Sequence, residues 1–328
     1  MRPLLSTDWH LDDRSQNQYR WDVFEHVLTA AIQYDVDTFF MLGDLVDRKD
    51  RFSSAFVNRL LAKLRMLAGR ARVVILRGNH DTTLRPPNYF ELLNHLAFEN
   101  AVEYVSDPTD YGAGLLLLPF SPSPKTEWAG VGLSSYEAVL MHATVPGAVV
   151  ENGQVMDIPN FPMLPGRVKF YSGDIHVPQK VRNVTYVGAP HPIRFGDSYP
   201  CRMLLLDSSY DISVEIPLVG PRKLVGAISS LAELDGLATR PGDQVKIRCS
   251  LSSGDLDGWH MDESKIAEWA RVRGVTVASV EVVLESGFDV ASVNPDASPE
   301  AMLRQFADHE GLDGGVLGVG LSLLGELR

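Results

Sequence analysis

Short, continuous apolar runs alternate with longer stretches of helical periodicity over the first hundred residues. Residues 3–7, 38–42 and 72–77 are runs of the first kind, brief and bounded by turn residues, and predict buried strands. Between the first two, residues 16–34 place Trp21, Phe24, Val27, Leu28, Ala31 and Ile32 on one face of a helix. Residues 53–67 repeat the pattern with Phe56, Val57, Leu60, Leu61, Leu64 and Leu67, and Gly69 follows as a stop. Pro86-Pro87 predicts the opening of a shorter helix over about 88–98. Strand–helix alternation of this kind predicts right-handed crossovers and a mainly parallel sheet.

From about residue 101 the rhythm changes to short strands with turns between them. These are predicted at 102–105, 115–120, 138–141, 167–172, 184–187, 203–206 and 212–216. Two loops, 121–135 and the Pro- and Gly-rich 145–166, are long enough to expect a functional or flap role. The expected fold class is α/β: a two-sheet β-sandwich flanked by helices (α/β/β/α), spanning residues 1–217. Residues 218–222 read as a linker into a small C-terminal α+β capping domain over 218–328. That domain is expected to hold strands at 243–251 and 275–284, a helix at 262–273 between them, and a last helix from Pro299 to His309 capped by Ser298.

Composition narrows the class without choosing the chemistry. The 328 residues are 45% hydrophobic and 22% charged, ordinary for a globular protein with a sizeable core. No apolar stretch approaches a membrane span, and the start at Met1 enters a strand without a signal-like apolar region. Two cysteines, Cys201 and Cys249, exclude a disulfide framework and fit a reducing cytoplasm. Lys and Arg total 30 against 42 Asp and Glu, a net charge of −12. That balance argues against a stand-alone, tight, non-specific DNA binder but not against a nuclease whose metals offset acidic groups.

The chemistry lies where the apolar runs end. Asp8-Trp9-His10, Gly43-Asp44, Gly78-Asn79-His80-Asp81, Met141-His142 and Gly173-Asp174-Ile175-His176 each follow a predicted strand. Loops leaving one edge of a sheet share a rim, so these groups can converge. Asp8 and His10 are expected to point the same way by alternation on an extended stretch, and Asp174 and His176 to repeat that geometry. A mixed Asp, His and Asn set suits Mn²⁺, Fe²⁺ or Zn²⁺ better than Ca²⁺, which points to a two-metal phosphoesterase. Trp9 is expected to pack beneath the site. Asp12, Asp13, Asp47, Arg14, Arg48 and Arg51 read as a solvated rim whose arginines can touch DNA phosphates.

The order of these clusters resembles that of the calcineurin-like metallophosphoesterases over residues 1–217. Within that superfamily the chain is similar to SbcD-type nucleases and the related phage recombination-endonuclease subunits. The residues carrying this are Ser6-Thr7-Asp8-Trp9-His10-Leu11, Gly173-Asp174-Ile175-His176-Val177-Pro178-Gln179, and Tyr186-Val187-Gly188-Ala189-Pro190 running into Phe195-Gly196-Asp197. The resemblance implies one metal held by Asp8, His10, Asp44 and His176, and a second by Asp44, Asn79, His142 and Asp174, with Asp44 bridging. His80 would contact the scissile phosphate and protonate the leaving oxygen. Asp81 would orient His80 in catalysis or serve as a turn or cap.

Asp174 stands where the family usually carries a histidine, which shifts the expected metal toward Mn²⁺ or Mg²⁺ and away from Zn²⁺, with Fe²⁺ also open. Asp174 standing off the metal is the alternative. The implied function is a DNA exonuclease or endonuclease of repair or recombination, with DNA and an SMC-type coiled-coil ATPase as partners. A homodimer is open, and no membrane is involved. The setting would be cytoplasmic, in a host cell if the gene is phage-borne. A phosphodiesterase or phosphatase on a small molecule or phosphoprotein, and a non-catalytic scaffold with a decayed metal site, are the rival readings.

Overall fold

Central strands in this protein are hidden on both faces, so their sequences are unbroken apolar runs rather than alternating ones. The structure, a computed structural model, describes residues 1–83, 87–96, 101–251, 259–284, 298–309 and 311–326. It divides into two compact units, Met1–Leu224 and Val225–Arg328.

In the first unit, β1 (Pro3–Ser6), β2 (Thr38–Met41), β3 (Arg72–Leu76) and β4 (Val102–Val105) lie side by side and parallel. The second sheet is built on β5 (Thr109–Gly112), β6 (Leu115–Leu118), β7 (Ala138–His142), β8 (Lys169–Gly173), β9 (Gln179–Val181) and β10 (Val184–Tyr186). Its order is β5-β6-β7-β8-β10-β9, with β6, β7, β8 and β10 parallel. β11 (Arg202–Leu206) and β12 (Ile212–Pro217) return to the first sheet, where β11 pairs antiparallel with β1. The sandwich core between the sheets gathers Leu5, Phe40, Val74 and Leu76 against Leu115, Leu117, Leu140 and Tyr171.

Two helices cover the outer face of the first sheet. α1 (Val23–Gln33) buries Phe24, Val27 and Ala31, and α2 (Ser54–Ala68) buries Phe56, Leu60, Leu64 and Leu67, with each buried Phe, Val or Leu worth about 1.5–3 kcal/mol. The Ser53 hydroxyl accepts from the Phe56 amide and caps α2. The expected helix over 16–34 begins instead as a 3-10 helix, Ser15–Asp22. That geometry stacks residues three apart, so Asn17 and Arg20 fall on one buried side. The helix expected over 88–98 is also a 3-10 turn, Tyr89–His95, with a capping box between Asn88 and Glu91; Pro86 and Phe98 lie outside the described residues. The outer face of the second sheet is covered by Trp128, which follows the four-residue α3 (Pro124–Glu127), and by loop residues such as Phe161 and Leu164, in one cluster with Phe170 and Tyr186.

The second unit has its own core of Val245, Ile247 and Cys249 with Ile266 and Trp269. Its sheet order is β13 (Lys223–Ile228), β14 (Gln244–Leu251) and β15 (Thr276–Leu284), with β14 and β15 parallel. α4 (Trp259–Arg273) joins those two strands, and α5 (Pro299–His309) and α6 (Gly314–Glu326) follow. Among the described residues no helix is long and apolar enough to cross a membrane. Cys201 and Cys249 are not joined in a disulfide.

Candidate metal centre

The five polar clusters meet at one rim, and the chain reaches it by sharp reversals. Asp8, His10, Asp44 and Asp174 all adopt left-handed backbone, with φ of 55°, 45°, 58° and 80°. Such conformations cost a non-glycine residue about 1–3 kcal/mol and persist only where surroundings enforce them. This corrects the expectation of an extended, alternating stretch. Each donor pair converges because the backbone turns at the donor itself.

Hydrogen bonds enforce the turns in the first sheet. The amides of Asp8, His10 and Leu11 donate to the carbonyls of Gly43, Asp44 and Leu45, each at 3.0 Å, zipping one loop to the next. Asp81, fully buried, accepts from the amides of Asp44 (2.9 Å), Leu45 (3.3 Å), Gly78 (2.9 Å) and Val46 (3.3 Å). Gly78 must be glycine here, since a Cβ would sit 2.2 Å from both the nitrogen and Oδ1 of Asp44. Asp81 as a partner of His80 is therefore corrected: its oxygens are taken by backbone, and His80 Nδ1 faces the Asp47 carbonyl at 2.9 Å.

Asp44 lies between two histidines. Its Oδ2 is 3.5 Å from His10 Nε2 and its Oδ1 is 3.4 Å from His142 Nε2. On the His10 side, His176 Nε2 stands 3.2 Å away from His10 Nε2. On the other side, His142 Nε2 is 3.1 Å from Asn79 Oδ1 and 3.7 Å from Asp174 Oδ1. Potential donor atoms of Asp8, His10 and His176, and again of Asp8, Asp44 and His142, all lie within 4.8 Å of one another. Every residue expected at the metals is thus at the rim, and His80 stacks edge-on to His10 at 4.7 Å between centroids.

The tautomers follow from the outer contacts. His142 Nδ1 lies 2.6 Å from the Leu42 carbonyl, which can only accept, so Nδ1 carries the proton. In the neutral ring Nε2 is then a bare lone pair facing three oxygens. Burial alone would depress this imidazole, but Asp44, Asp174 and Asp8 override it and hold it up at about 9. His176 Nδ1 is 2.6 Å from Glu151 Oε1, and that contact brings the Glu151 carboxyl down to about 2. His176 is raised: burial opposes the charge, but Glu151 and Asp8 favour it. His10 is pushed well below its usual value by burial and by His176 and His80. Burial drives the Asp8, Asp44 and Asp81 carboxyls upward.

This donor set fits divalent cations. Buried carboxylates crowded this way are costly without a compensating positive charge. Asp8 Oδ2 is buried with no hydrogen-bond partner. Three imidazole nitrogens and three carboxylate oxygens turned toward one another at 3.2–3.7 Å leave lone pairs that a cation would satisfy.

Several neighbours of the donors were not legible in the sequence. Glu151, from the long 145–166 loop, holds His176, and Thr144 donates its hydroxyl to Asp174 Oδ2. Asp47 is grouped with His10 and His80 as a further set of possible donors. Asp12 is no part of a solvated rim: it is 3% exposed and accepts from Arg14 and Asn17, while Arg14 also pairs with Asp47. Trp9 does pack beneath the site, between Phe24 and Phe39. The only sequence signal for Glu151 was the length of its loop.

The rim opens into a cavity of about 870 Å³, lined by His10, Asp44, Asn79, His80, Asp174 and His176 and also by Arg14, Arg20, Arg194 and Lys223.

Residues 1–142 match the family model for the calcineurin-like phosphoesterases. This segment is similar to a metallophosphoesterase domain. The phosphoesterase match ends at His142, and Asp174 and His176 join the centre from beyond it because β8 pairs with β7, setting Gly173 opposite His142. Among solved structures, the chain is similar to the nuclease MPE of Pseudomonas putida, at 14% identity over 66% of this chain and 87% of that one, with a TM-score of 0.33. No curated protein matches it. The protein is a metal-dependent phosphoesterase, and its centre takes divalent ions.

Proposed function

We propose that this phosphoesterase is a DNA nuclease of SbcD type that cleaves phosphodiesters with two metal ions. The observation that carries the reading is Asp44, whose two oxygens face His10 and His142 on separate sides as a bridging carboxylate must. One ion would be held by Asp8, His10, Asp44 and His176, the other by Asp44, Asn79, His142 and Asp174. When bound, the pair activates water near neutral pH and neutralises charge on the phosphoryl oxygens. The chain's own residues do the rest. His80 commits Nδ1–H to the Asp47 carbonyl, so Nε2 is the ring nitrogen that would give a proton to the leaving oxygen, from the doubly protonated ring. Leu42 and Glu151 fix the rings of His142 and His176 through their outer nitrogens.

The oxygen-rich side of the set, with Asp174, Asn79 and Asp44, favours Mn²⁺ over Zn²⁺. DNA as substrate is supported by the motif resemblance and by the cationic side chains along the cavity. The net charge of −12 fits a subunit whose DNA-holding surface comes largely from a coiled-coil ATPase partner. Purified protein with Mn²⁺ is expected to degrade linear DNA, and Asp44→Ala to abolish this with an unchanged circular dichroism spectrum. Equal or faster turnover with Zn²⁺ overturns the metal assignment. Hydrolysis of a cyclic nucleotide far faster than DNA overturns the substrate and favours a small-molecule phosphodiesterase.

A further inference from the structure

Away from the metal centre, the same cavity wall carries a buried cation, Lys223, which is 4% exposed. Buried ammonium groups are nearly always matched by a carboxylate. Among the described residues none lies at ion-pair distance from this one. Nζ donates instead to Asn17 Oδ1 at 3.1 Å and to the Ile193 carbonyl at 3.3 Å, and it lies 5.2 Å from the centre of the Phe195 ring and 5.7 Å from that of Tyr19.

The nearest acids are already engaged. Asp12 accepts from Arg14 Nε at 2.7 Å and Asn17 Nδ2 at 2.6 Å, and Asp197 accepts from the amides of Ile193 and Arg194 and from the Tyr199 hydroxyl. Burial, then the like charge of Arg20, brings the Lys223 ammonium down to about 8, with Arg14 adding to this and Asp12 and Asp197 opposing it. Arg20 is itself buried, and its Nε has no partner. Its guanidinium donates to the carbonyl of His10 and to that of Ile193, the same carbonyl that Lys223 uses. Two cations thus run from a residue of the metal centre into the cavity: Arg20 has Asp12 Oδ2 at 3.9 Å from its Nη1, whereas among the described residues Lys223 has no carboxylate at ion-pair distance.

We propose that Lys223, steadied by Asn17 and backed by Arg20, binds a phosphate next to the one being cleaved, so that the substrate is a nucleic-acid strand engaged at two successive phosphodiesters. This rests on the phosphodiesterase reading above. Phe195 beside the ammonium offers a face on which a neighbouring base can stack.

The test is fluorescence anisotropy of a labelled single-stranded oligothymidylate with the full chain and Ca²⁺, titrated with salt. A second arm follows Mn²⁺-dependent hydrolysis of that oligonucleotide and of bis(p-nitrophenyl) phosphate, a diester with one phosphate. Lys223→Met is expected to weaken oligonucleotide binding about tenfold and to flatten the dependence of log K on log salt by about 0.7. It should also lower the ratio of kcat/KM for oligonucleotide over bis(p-nitrophenyl) phosphate at least tenfold. Lys223→Arg should restore the salt slope, and if Lys223→Met does not fold, Lys223→Gln against Lys223→Arg makes the same comparison.

Unchanged affinity and slope, or an equal fall on both substrates, overturns the subsite. A wild type that hydrolyses bis(p-nitrophenyl) phosphate but does not bind the oligonucleotide overturns the subsite and leaves the hydrolase standing. A wild type that binds through Lys223 but hydrolyses neither diester does the reverse.

Discussion

The two sheets each supply half of the metal centre, but they hold their halves by different means. The first sheet presents Asp8, His10, Asp44, Asn79 and His80 on loops locked by backbone hydrogen bonds, loop to loop and through Asp81. The second sheet presents His142, Asp174 and His176, and the last two are steadied by side-chain partners, Thr144 and Glu151, outside the regular strands. Backbone bonds leave the first half no cheap alternative geometry. Side-chain bonds can break one at a time without unravelling a loop. The first half is therefore a preformed cradle, and the second is adjustable around whatever binds. The histidines agree with this: His10 is held neutral by burial, whereas His142 and His176 are held toward the charged form by carboxylates.

The largest effect should come from the cradle. In Gly78→Ala the new Cβ would meet the Asp44 nitrogen and Oδ1 at 2.2 Å, and the neighbours cannot give because Asp81 pins them. Hydrolysis with Mn²⁺ should fall more than about 100-fold, the order expected when a reacting group is misplaced by about an ångström. Bound metal, measured by mass spectrometry of the purified protein, should fall with it. Activity within threefold of wild type would show that this half gives way as easily as the other.

Next in size is a direct contrast between the two kinds of support. Asp81→Ala strands several buried amides and should cost about 3 kcal/mol or more of stability. For a unit of this size that lowers Tm by roughly 6–12 °C. Glu151→Gln should leave Tm within about 2 °C yet weaken metal binding about 10–100-fold, the usual result of losing a carboxylate behind a ligating imidazole. If Glu151→Gln melts as early as Asp81→Ala, the division into a rigid and an adjustable half is wrong.

Much of the first half could be read from sequence, for a physical reason. Strands buried on both faces show as runs of four or five apolar residues, so their ends, and the polar clusters there, stand out. Three strands at sheet edges do not: β5 and β9 are short, half-exposed and polar, and β13 begins at the buried Lys223, so none of the three was expected. Arg20 was concealed inside a stretch read as an amphipathic helix. The left-handed backbone at Asp8, His10, Asp44 and Asp174 left no trace in composition, because glycine was not used there. Glu151 and Asp81 act through partners 25 and 37 residues away, His176 and Asp44, and no local pattern records such pairings. The donors themselves were legible, whereas the means by which they are held were not.

The smallest expected effect concerns protons. In the metal-free protein His142 is held up at about 9, above its ordinary value, so at neutral pH it carries a proton on the nitrogen a metal needs. The raised pKa favours the metal-free fold fully below about 6.5, and that contribution is lost as pH rises toward 9. Metal binding must displace the proton, so affinity for Mn²⁺ should climb by up to about tenfold per pH unit between 7 and 9 and level off above. His10, already neutral, adds nothing to this slope, while Asp44, raised by burial, adds to proton release on the acidic side. Calorimetric titration in two buffers of different ionisation enthalpy would count the protons released. The count should shrink as pH passes about 9. A count independent of pH from 7 to 10 would mean that the second half of the centre is as fully set for metal as the first.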